Sequence, residues 1–165
     1  MKKLLIVITM FISSFSQAQQ EISVDLGDAL AMKTLELTYE YYINPQSSIG
    51  VSALFNFEGR TSDFRYNEDR MITPFFRHYF TNNQNWNYFG EVFLGVNTGE
   101  DEVEIDGVKS YEDYTDGALG VSIGSKYVSS GGFVVAIHGG IGRNMFGSAS
   151  PIIVPRVGVN LGYRF

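Results

Sequence analysis

The last eleven residues of the chain alternate without interruption between apolar side chains and polar or small ones. A strict period of two is the signature of a β-strand, because successive side chains point to opposite faces of a sheet. Few soluble folds account for a strand that has one entirely apolar face and ends on an aromatic residue. The apolar positions are Pro155, Val157, Val159, Leu161, Tyr163 and Phe165, and the intervening positions are Arg156, Gly158, Asn160, Gly162 and Arg164.

Seven earlier segments alternate in a similar way, so the sequence predicts eight strands. Pro74 interrupts the fourth segment, and we expect a bulge or a local weakness there because proline has no amide hydrogen to donate. Beyond the amino-terminal segment, no apolar run approaches the roughly 20 residues of a membrane-spanning helix. The predicted strands are Glu21–Gly27, Thr34–Ile43, Ser48–Glu58, Arg70–Phe80, Asn87–Thr98, Thr115–Val128, Gly132–Gly142 and Ile153–Phe165.

The final strand resembles the closing strand of outer-membrane β-barrels from Gram-negative bacteria. In those proteins a terminal phenylalanine, a second aromatic residue two positions earlier and apolar residues at alternate positions form the assembly signal. Phe165, Tyr163, Leu161 and Val159 match that pattern. Residues 19–165 as a whole resemble the small eight-stranded barrels of the OmpA/OmpX type, in the class of outer membrane protein β-barrel domains.

This resemblance implies an all-β fold, an eight-stranded antiparallel transmembrane β-barrel built as an up-and-down meander. An even number of strands, each about ten residues long, suits a tilted crossing of the bilayer. Short connections alternate with long ones, which places both termini in the periplasm. The short connections are Asn44–Ser47, Thr81–Trp86 and Ser129–Gly131, and the long ones are Gly59–Asp69, Gly99–Tyr114 and Arg143–Ile152.

Aromatic residues cluster at the strand ends that are predicted to face the periplasm. Amphipathic rings favour the headgroup level of a membrane, so we expect these residues to form a girdle around the barrel. They are Tyr41, Tyr42, Tyr79, Phe80, Trp86, Tyr88, Tyr127, Phe133, Tyr163 and Phe165.

The first 18 residues predict a cleaved secretory signal peptide. Two lysines precede the apolar run Leu4–Phe15. Ser16 and Ala18 then place small residues at the two cleavage-site positions, which suits cleavage after Ala18. The barrel domain would then comprise residues 19–165, exported through the periplasm to the outer membrane. Without the two lysines, 10 basic and 18 acidic residues remain, and this formal charge of −8 disfavours a nucleic-acid partner. The chain has no cysteine, so it has neither disulfides nor a thiolate metal site.

The polar faces of the predicted strands carry four acids and four bases. An eight-stranded barrel is just wide enough for side chains to fill its interior, so charges inside must pair or be hydrated. We interpret this set as a lumen charge network; the favoured interpretation is that it only satisfies polar groups and fixes strand register, and a plugged lumen with a gated water path is the alternative. We expect Glu40, Arg77, Glu91, Lys126 and Arg164 to form one layer in the periplasmic half. The full set is Glu36, Glu40, Arg77, Glu91, Asp116, Lys126, Arg156 and Arg164.

No catalytic residues are predicted. His138 occupies an inward position, where a hydrogen-bonded filler is the favoured interpretation. Lipid A deacylases carry a His-x-Ser-Asn run, but Gly139 and Gly140 follow His138 here. Lipid A palmitoyltransferases need His, Asp and Ser near the outer surface, and no His accompanies Ser148 and Ser150. We therefore expect neither an enzyme nor a cofactor.

The long connection Gly99–Tyr114 is strongly acidic, and its carboxylates could bind Ca²⁺. The spacing does not fit an EF-hand, because Asp106 stands where the invariant glycine is needed. A solvated loop tip is the favoured interpretation, and no metal site is predicted. Asp106-Gly107 between alternating apolar residues indicates a hairpin turn, so the fifth and sixth strands are expected to extend past the membrane as a ribbon.

Several functions remain open. The resemblance implies a structural or surface-interaction role for a barrel with a side-chain-filled polar lumen, and a narrow, porin-like channel for water, ions or small solutes is the alternative. A lipid-modifying barrel enzyme is less favoured. A soluble, lipocalin-like barrel is disfavoured because the charged face, not the apolar one, carries the small residues that suit a cramped interior. The implied partners are outer-membrane lipids, lipopolysaccharide and the barrel assembly machinery, and the expected state is a monomer.

Overall fold

The structure is a computed structural model that describes residues 19–27, 29, 33–57, 68–81, 85–105, 108–147 and 150–165. Within the fifth and sixth strands, residues 101–105 and 108–111 are described by their backbone only. The predicted signal peptide and Ser148 lie outside the described residues, as do the predicted turn at 106–107 and most of the connection predicted for 59–69.

Eight strands close into one barrel, and each strand pairs with its neighbours in the sequence. All pairs are antiparallel, including that of the first strand with the last. The predicted eight-stranded antiparallel meander is therefore confirmed. Among the described residues, no helix is long and apolar enough to cross a membrane. The strands are β1 (Gln20–Asp25), β2 (Thr34–Asn44), β3 (Ser47–Asn56), β4 (Glu68–Tyr79), β5 (Trp86–Ile105), β6 (Val108–Val128), β7 (Phe133–Asn144) and β8 (Ile153–Arg164).

The seam between β1 and β8 is closed by backbone hydrogen bonds. The register places Glu21 beside Arg164 and Val24 beside Leu161. Beyond the ladder, the Phe165 amide donates to the Gln20 carbonyl over 2.8 Å, and the Gln20 amide donates back over 3.2 Å. A closed sheet has no unpaired edge, which is the condition for a sheet that crosses a bilayer.

The β5–β6 hairpin is longer than its two predicted strands. Its ladder continues beyond Thr98 and Thr115 up to the pair Ile105 and Val108. The predicted ribbon is therefore confirmed for the backbone. The side chains of its acidic tip lie outside the described residues, so the interpretation of a solvated loop remains a prediction.

The exterior of the barrel is apolar along its strands. Leu94 and Val121 each have 56% of their surface exposed, and Ile123 has 72%. The outward faces predicted for β5, β6 and β7 are confirmed, because their alternate residues are exposed or partly exposed while the intervening ones are buried or partly buried. A contiguous exposed apolar surface of this extent needs a nonpolar environment.

Large inward side chains stand opposite inward glycines on the neighbouring strand. Phe75 pairs with Gly50, and Phe93 pairs with Gly120. A Cβ at either glycine would lie 2.3 Å or 2.2 Å from the Cζ of its phenylalanine, so each ring fills the place of a missing side chain. Phe89 lies against Gly124 in the same way, with a Cβ contact of 2.4 Å. These pairs fix the register and leave little free space inside.

Two residues of the predicted girdle are inside the barrel instead. Tyr42 and Tyr79 are buried inward side chains, and their rings stack with centroids 5.7 Å apart. Their sequence neighbours Tyr41 and Phe80 face outward. The prediction was wrong for Tyr42 and Tyr79 because it grouped aromatic residues by strand end and ignored the alternation of faces.

Pro74 produces a gap in one ladder and no bulge. Ile72 and Phe75 of β4 pair with Val96 and Phe93 of β5 in the same register. Thr73 and Pro74, which lie between Ile72 and Phe75, have no partner on β5. The expected local weakness is thus confirmed, because proline has no amide hydrogen for this ladder. The register of β4 against β5 shifts elsewhere, between Glu68 and Arg70.

A charge placed on the outer face should destabilise the barrel according to its depth. In a bilayer, Val121→Arg at mid-strand should cost roughly 2–4 kcal/mol of the free energy of unfolding, while a charge near the interface costs about 0–1 kcal/mol. Thr115→Arg is the matched control, because it changes an outward residue of the same strand beyond the apolar region. Urea unfolding of both variants in lipid vesicles measures the difference. Equal costs at the two positions would contradict a belt that is buried in lipid.

Candidate functional site: the charged lumen

Charged side chains from six strands converge inside the barrel. Seven of the eight residues in this network have at most 7% of their surface exposed. Arg164, near the chain terminus, is the exception, since its side chain is 21% exposed. Four acids and four bases take part, so the network has no net charge; they are Glu21, Glu36, Glu40, Arg77, Glu91, Lys126, Arg156 and Arg164.

Arg77 lies at the centre of the network. Its Nη1 is 2.7 Å from Oε2 of Glu40, and its Nη2 is 2.6 Å from Oε2 of Glu91. The guanidinium carbon also lies 4.6 Å from the centroid of the Phe75 ring and 4.2 Å from that of Phe89. The planar cation therefore has carboxylates at its edge and aromatic rings nearby, an environment for which arginine is better suited than lysine.

Towards the chain termini, the network continues through Lys126. Its Nζ lies 2.6 Å from Oε2 of Glu40 and 2.6 Å from Oε1 of Glu21. Glu21 also accepts from Arg164, whose Nη2 is 3.1 Å from Oε2. The Tyr42 hydroxyl joins this end, because it donates to Glu21 over 3.0 Å and accepts from Lys126 and from Arg164.

In the opposite direction, the network continues through Arg156. Its Nε lies 3.2 Å from Oε1 of Glu91, and its Nη1 lies 3.2 Å from Oε1 of Glu36. Hydroxyl groups satisfy further carboxylate oxygens: Ser48 and Tyr79 donate to Glu40 over 2.5 Å and 2.6 Å. The result is a single line in which acids and bases alternate; its order is Glu36, Arg156, Glu91, Arg77, Glu40, Lys126, Glu21 and Arg164.

The structure brings together seven of the eight residues that the sequence assigned to the lumen. The five residues expected to form one layer are connected, but Arg164 makes its ion pair with Glu21 and with none of the other four. Sequence reasoning missed Glu21 because it considered the second to eighth strands alone. The signal was present, since Glu21 alternates with Ile22 and shares the face of Ser23.

Asp116 is the member that does not join the network. It is buried, but its carboxylate accepts from the backbone amides of Gly117, Phe146 and Gly147 over 2.6, 2.9 and 2.8 Å, and from the Ser150 hydroxyl. The prediction that it belongs to the charge network was therefore wrong. An inward position near the end of the barrel brings it against the connection from β7 to β8, where amide groups replace a basic partner.

His138 is an inward residue with 5% of its surface exposed. Within the described part of the chain, neither ring nitrogen has a hydrogen-bond partner. The favoured interpretation was that His138 fills space inside the barrel while hydrogen-bonded. It is wrong for hydrogen bonds to the described protein groups. The ring borders a cavity of about 10 Å³ that is also lined by Arg77, Lys126 and Arg156, which is room for about one water molecule.

The residues of the predicted assembly signal lie on the outer face of β8. Val159, Tyr163 and Phe165 are exposed there, and Leu161 is partly exposed. Their role in assembly remains a prediction. Among the described residues, no group of three or more histidine, cysteine, aspartate or glutamate side chains is placed to hold a metal ion.

Comparisons with known proteins agree with this architecture. Residues 4–145 match the family described as "Protein of unknown function (DUF3575)". The chain belongs to this family. None of the curated proteins matches it in sequence. The family description names no activity.

Solved structures resemble the barrel at low sequence identity. The N-terminal β-barrel domain of Pseudomonas aeruginosa OprF superimposes with a TM-score of 0.66 and 10% identity, over 90% of this chain and 98% of that one. Neisserial surface protein A gives a TM-score of 0.55 and 12% identity, over 89% and 95%. The fold is thus that of the small outer-membrane β-barrels.

Removing the central base should destabilise the barrel. Arg77→Met leaves two buried carboxylates with one partner fewer, and breaking a buried pair costs about 3–5 kcal/mol. Urea unfolding in vesicles measures the loss of stability, with the gel mobility of the unheated protein as the readout. The control is Arg70→Met on the same strand, because Arg70 is exposed and its replacement should cost about 0–1 kcal/mol.

A second replacement separates lost pairing from disturbed packing. Adding Glu91→Gln to Arg77→Met removes the surplus negative charge, so part of the lost stability should return. If Arg77→Met unfolds at the same urea concentration as the unchanged protein, the network contributes no net stability. If the double variant is no better than the single one, packing rather than charge explains the loss.

Proposed function

We propose that the chain is an outer-membrane β-barrel protein with a structural or surface-interaction role, a closed lumen and no enzymatic activity. The observation that carries this proposal is the contrast between the two surfaces of the barrel. Its outer face is apolar along the strands, and its interior is filled by a charge-balanced line of ion pairs. A soluble carrier barrel has the opposite arrangement, with an apolar cavity inside and a polar exterior.

The packing of the lumen supports a closed barrel over the alternative of a channel. Five of the seven ion pairs of the network join strands that are not neighbours, as where Arg156 on β8 contacts Glu36 on β2. The cavity beside His138 has room for about one water molecule. A conducting path would require the Arg77 and Lys126 pairs to separate, and each separation leaves a buried charge without compensation.

The histidines offer little support for an enzyme. The ring of His138 has no hydrogen-bonded hydroxyl or carboxylate among the described residues. The Ser47 hydroxyl lies 3.2 Å from Nδ1 of His78, but both residues are cross-strand neighbours beside a tight turn, and within the described residues no carboxylate orients that ring. Nucleophilic catalysis needs a base that a third group holds in place.

We propose that the tight-turn end faces the periplasm. The start of β1 and Phe165 lie at the end that carries the turn between β2 and β3, and the long β5–β6 ribbon extends from the opposite end. This is the orientation of bacterial barrels, which have short periplasmic turns and longer external loops. The proposed partners are outer-membrane lipids, lipopolysaccharide and the barrel assembly machinery, with a monomer as the working state and no nucleic acid.

Cell fractionation and planar-bilayer recording test the proposal together. The protein expressed in a Gram-negative host should sediment with outer membranes and migrate differently on gels before and after heating. Purified protein should give no stable conductance steps, whereas Arg77→Met should give more frequent leak events. Stable steps from the unchanged protein would favour the channel, and recovery in the soluble fraction would refute the membrane barrel.

The assembly role of the last strand has its own test. Phe165→Ser removes the outward ring but keeps the backbone pair with Gln20, and we expect the protein to accumulate unassembled and be degraded. Phe80→Ser is the matched control, because Phe80 is also an exposed aromatic at the tight-turn end. Equal amounts of heat-modifiable barrel for the two variants would show that Phe165 is an ordinary girdle residue.

A further inference from the structure

Exposed apolar side chains are concentrated where the chain passes from β7 to β8. Phe146 has 85% of its surface exposed, the highest fraction among the large apolar side chains of the described residues. Met145, Ile152 and Ile153 are exposed by more than half. We call these four residues the rim patch. Such a cluster at an end of the barrel marks an interaction surface.

The backbone beneath the rim patch is held in one arrangement. The Met145 amide donates to the Gly117 carbonyl over 3.0 Å, and the Phe146 amide donates to Asp116 over 2.9 Å. The side chain of Asn144 donates through Nδ2 to the Pro151 carbonyl over 2.8 Å, while its Oδ1 accepts from Nδ2 of Asn97. These bonds hold the backbone amides of Met145 and Phe146 and the side chain of Asn144, so they fix the direction in which Phe146 projects.

That direction is towards the outside of the barrel wall. A Cβ at Gly117 would lie 3.0 Å from Cε2 of Phe146 and 3.2 Å from Cδ2, so the ring covers the outward face of this glycine. Gly117 shares that face with Leu119 and Val121, and it pairs with the outward residue Val96 on β5. The ring therefore extends the apolar exterior of the strands without interruption.

A cation accompanies the ring at this level. Arg143 faces outward on β7, two residues beyond Ile141 and beside Leu119 and Ile153 in the register. Arginine can lay its apolar stem along such a surface and bind a phosphate with its guanidinium group. Apolar and aromatic side chains with a neighbouring cation suit the boundary between acyl chains and headgroups.

We propose that the rim patch is a lipid anchor that inserts into the outer leaflet beside the barrel, with Asp116 as its positioning residue. This inference rests on the proposed membrane location. The favoured occupant is lipid rather than a protein partner, because the patch is continuous with the apolar outer wall and the adjoining charged residue is an arginine, a side chain suited to bind phosphate. Asp116 acts through the loop, since its carboxylate binds the Phe146 and Gly147 amides and the Ser150 hydroxyl.

Tryptophan fluorescence in brominated lipid tests this proposal. The chain has a single tryptophan, so Trp86→Phe provides a silent background for a reporter introduced by Phe146→Trp. In vesicles whose phospholipids carry bromine near the carbonyl end of the acyl chain, we expect emission to fall by about half, as for a ring at the headgroup level. Bromine near the methyl end should quench less, and acrylamide in the water should quench weakly.

Two further reporters separate failure of the anchor from failure of the membrane barrel. Ile123→Trp places the probe on the outward face at mid-strand, and Asp113→Trp places it at an exposed position on the ribbon. The first should be quenched most by bromine near the methyl end, and the second by acrylamide alone. If the Ile123→Trp probe is not quenched by lipid, the membrane location itself is refuted. If that probe is quenched but the probe at position 146 responds to acrylamide alone, only the anchor is refuted.

The role of Asp116 is tested in the same reporters. Asp116→Ala should reduce lipid quenching of the probe at position 146 and shift its emission to longer wavelength, while the probe at position 123 keeps its quenching. Unchanged quenching at position 146 would show that Asp116 does not position the anchor. The probe at position 146 could instead become better shielded from acrylamide as the protein concentration rises at constant lipid. That result would assign the patch to a contact with a second copy of the chain and overturn the lipid anchor.

Discussion

The closed barrel depends on a line of buried ion pairs that runs through its lumen. Each of the six inner members touches two groups of opposite charge, and only Glu36 and Arg164 at the ends touch one. Every charge taken from water thus gains partners that offset its desolvation. Five of the seven pairs also cross the lumen, as where Lys126 of β6 contacts Glu40 of β2, so these five connect strands that share no backbone hydrogen bonds.

A second constraint acts between neighbouring strands, where large inward side chains lie opposite glycine. His138 faces Gly158, and a Cβ there would come within 2.5 Å of the imidazole. The phenylalanines opposite Gly50, Gly120 and Gly124 follow the same rule. A slip of one residue would turn these rings to the outer face and place polar residues against lipid. Glycine therefore fixes the register by leaving the volume that a specific partner fills.

The resemblance to outer-membrane barrels implied the order of the strands and the assignment of their two faces, because a closed meander has one inside and one outside. Alternation of side chains was sufficient to predict the strands themselves. It was not sufficient to predict which inward residues meet. Tyr42 and Tyr79 were assigned to the outer girdle since aromatic residues are common there, yet their position in the alternation places them inside. Contacts such as that of Arg156 with Glu36 depend on barrel tilt and strand stagger, which a single sequence does not specify.

Asp116 and Glu21 show that charge is balanced among the residues that contact one another, and not among the inward positions predicted from the sequence. The predicted set was neutral with Asp116, and the observed network is neutral with Glu21 in its place. Near the end of the barrel an inward carboxylate can be satisfied by the amides of a connecting loop, as Asp116 is. Deeper in the lumen no loop amides are within reach, so a carboxylate needs a base. The four bases therefore require a fourth acid within the barrel, and β1 supplies it.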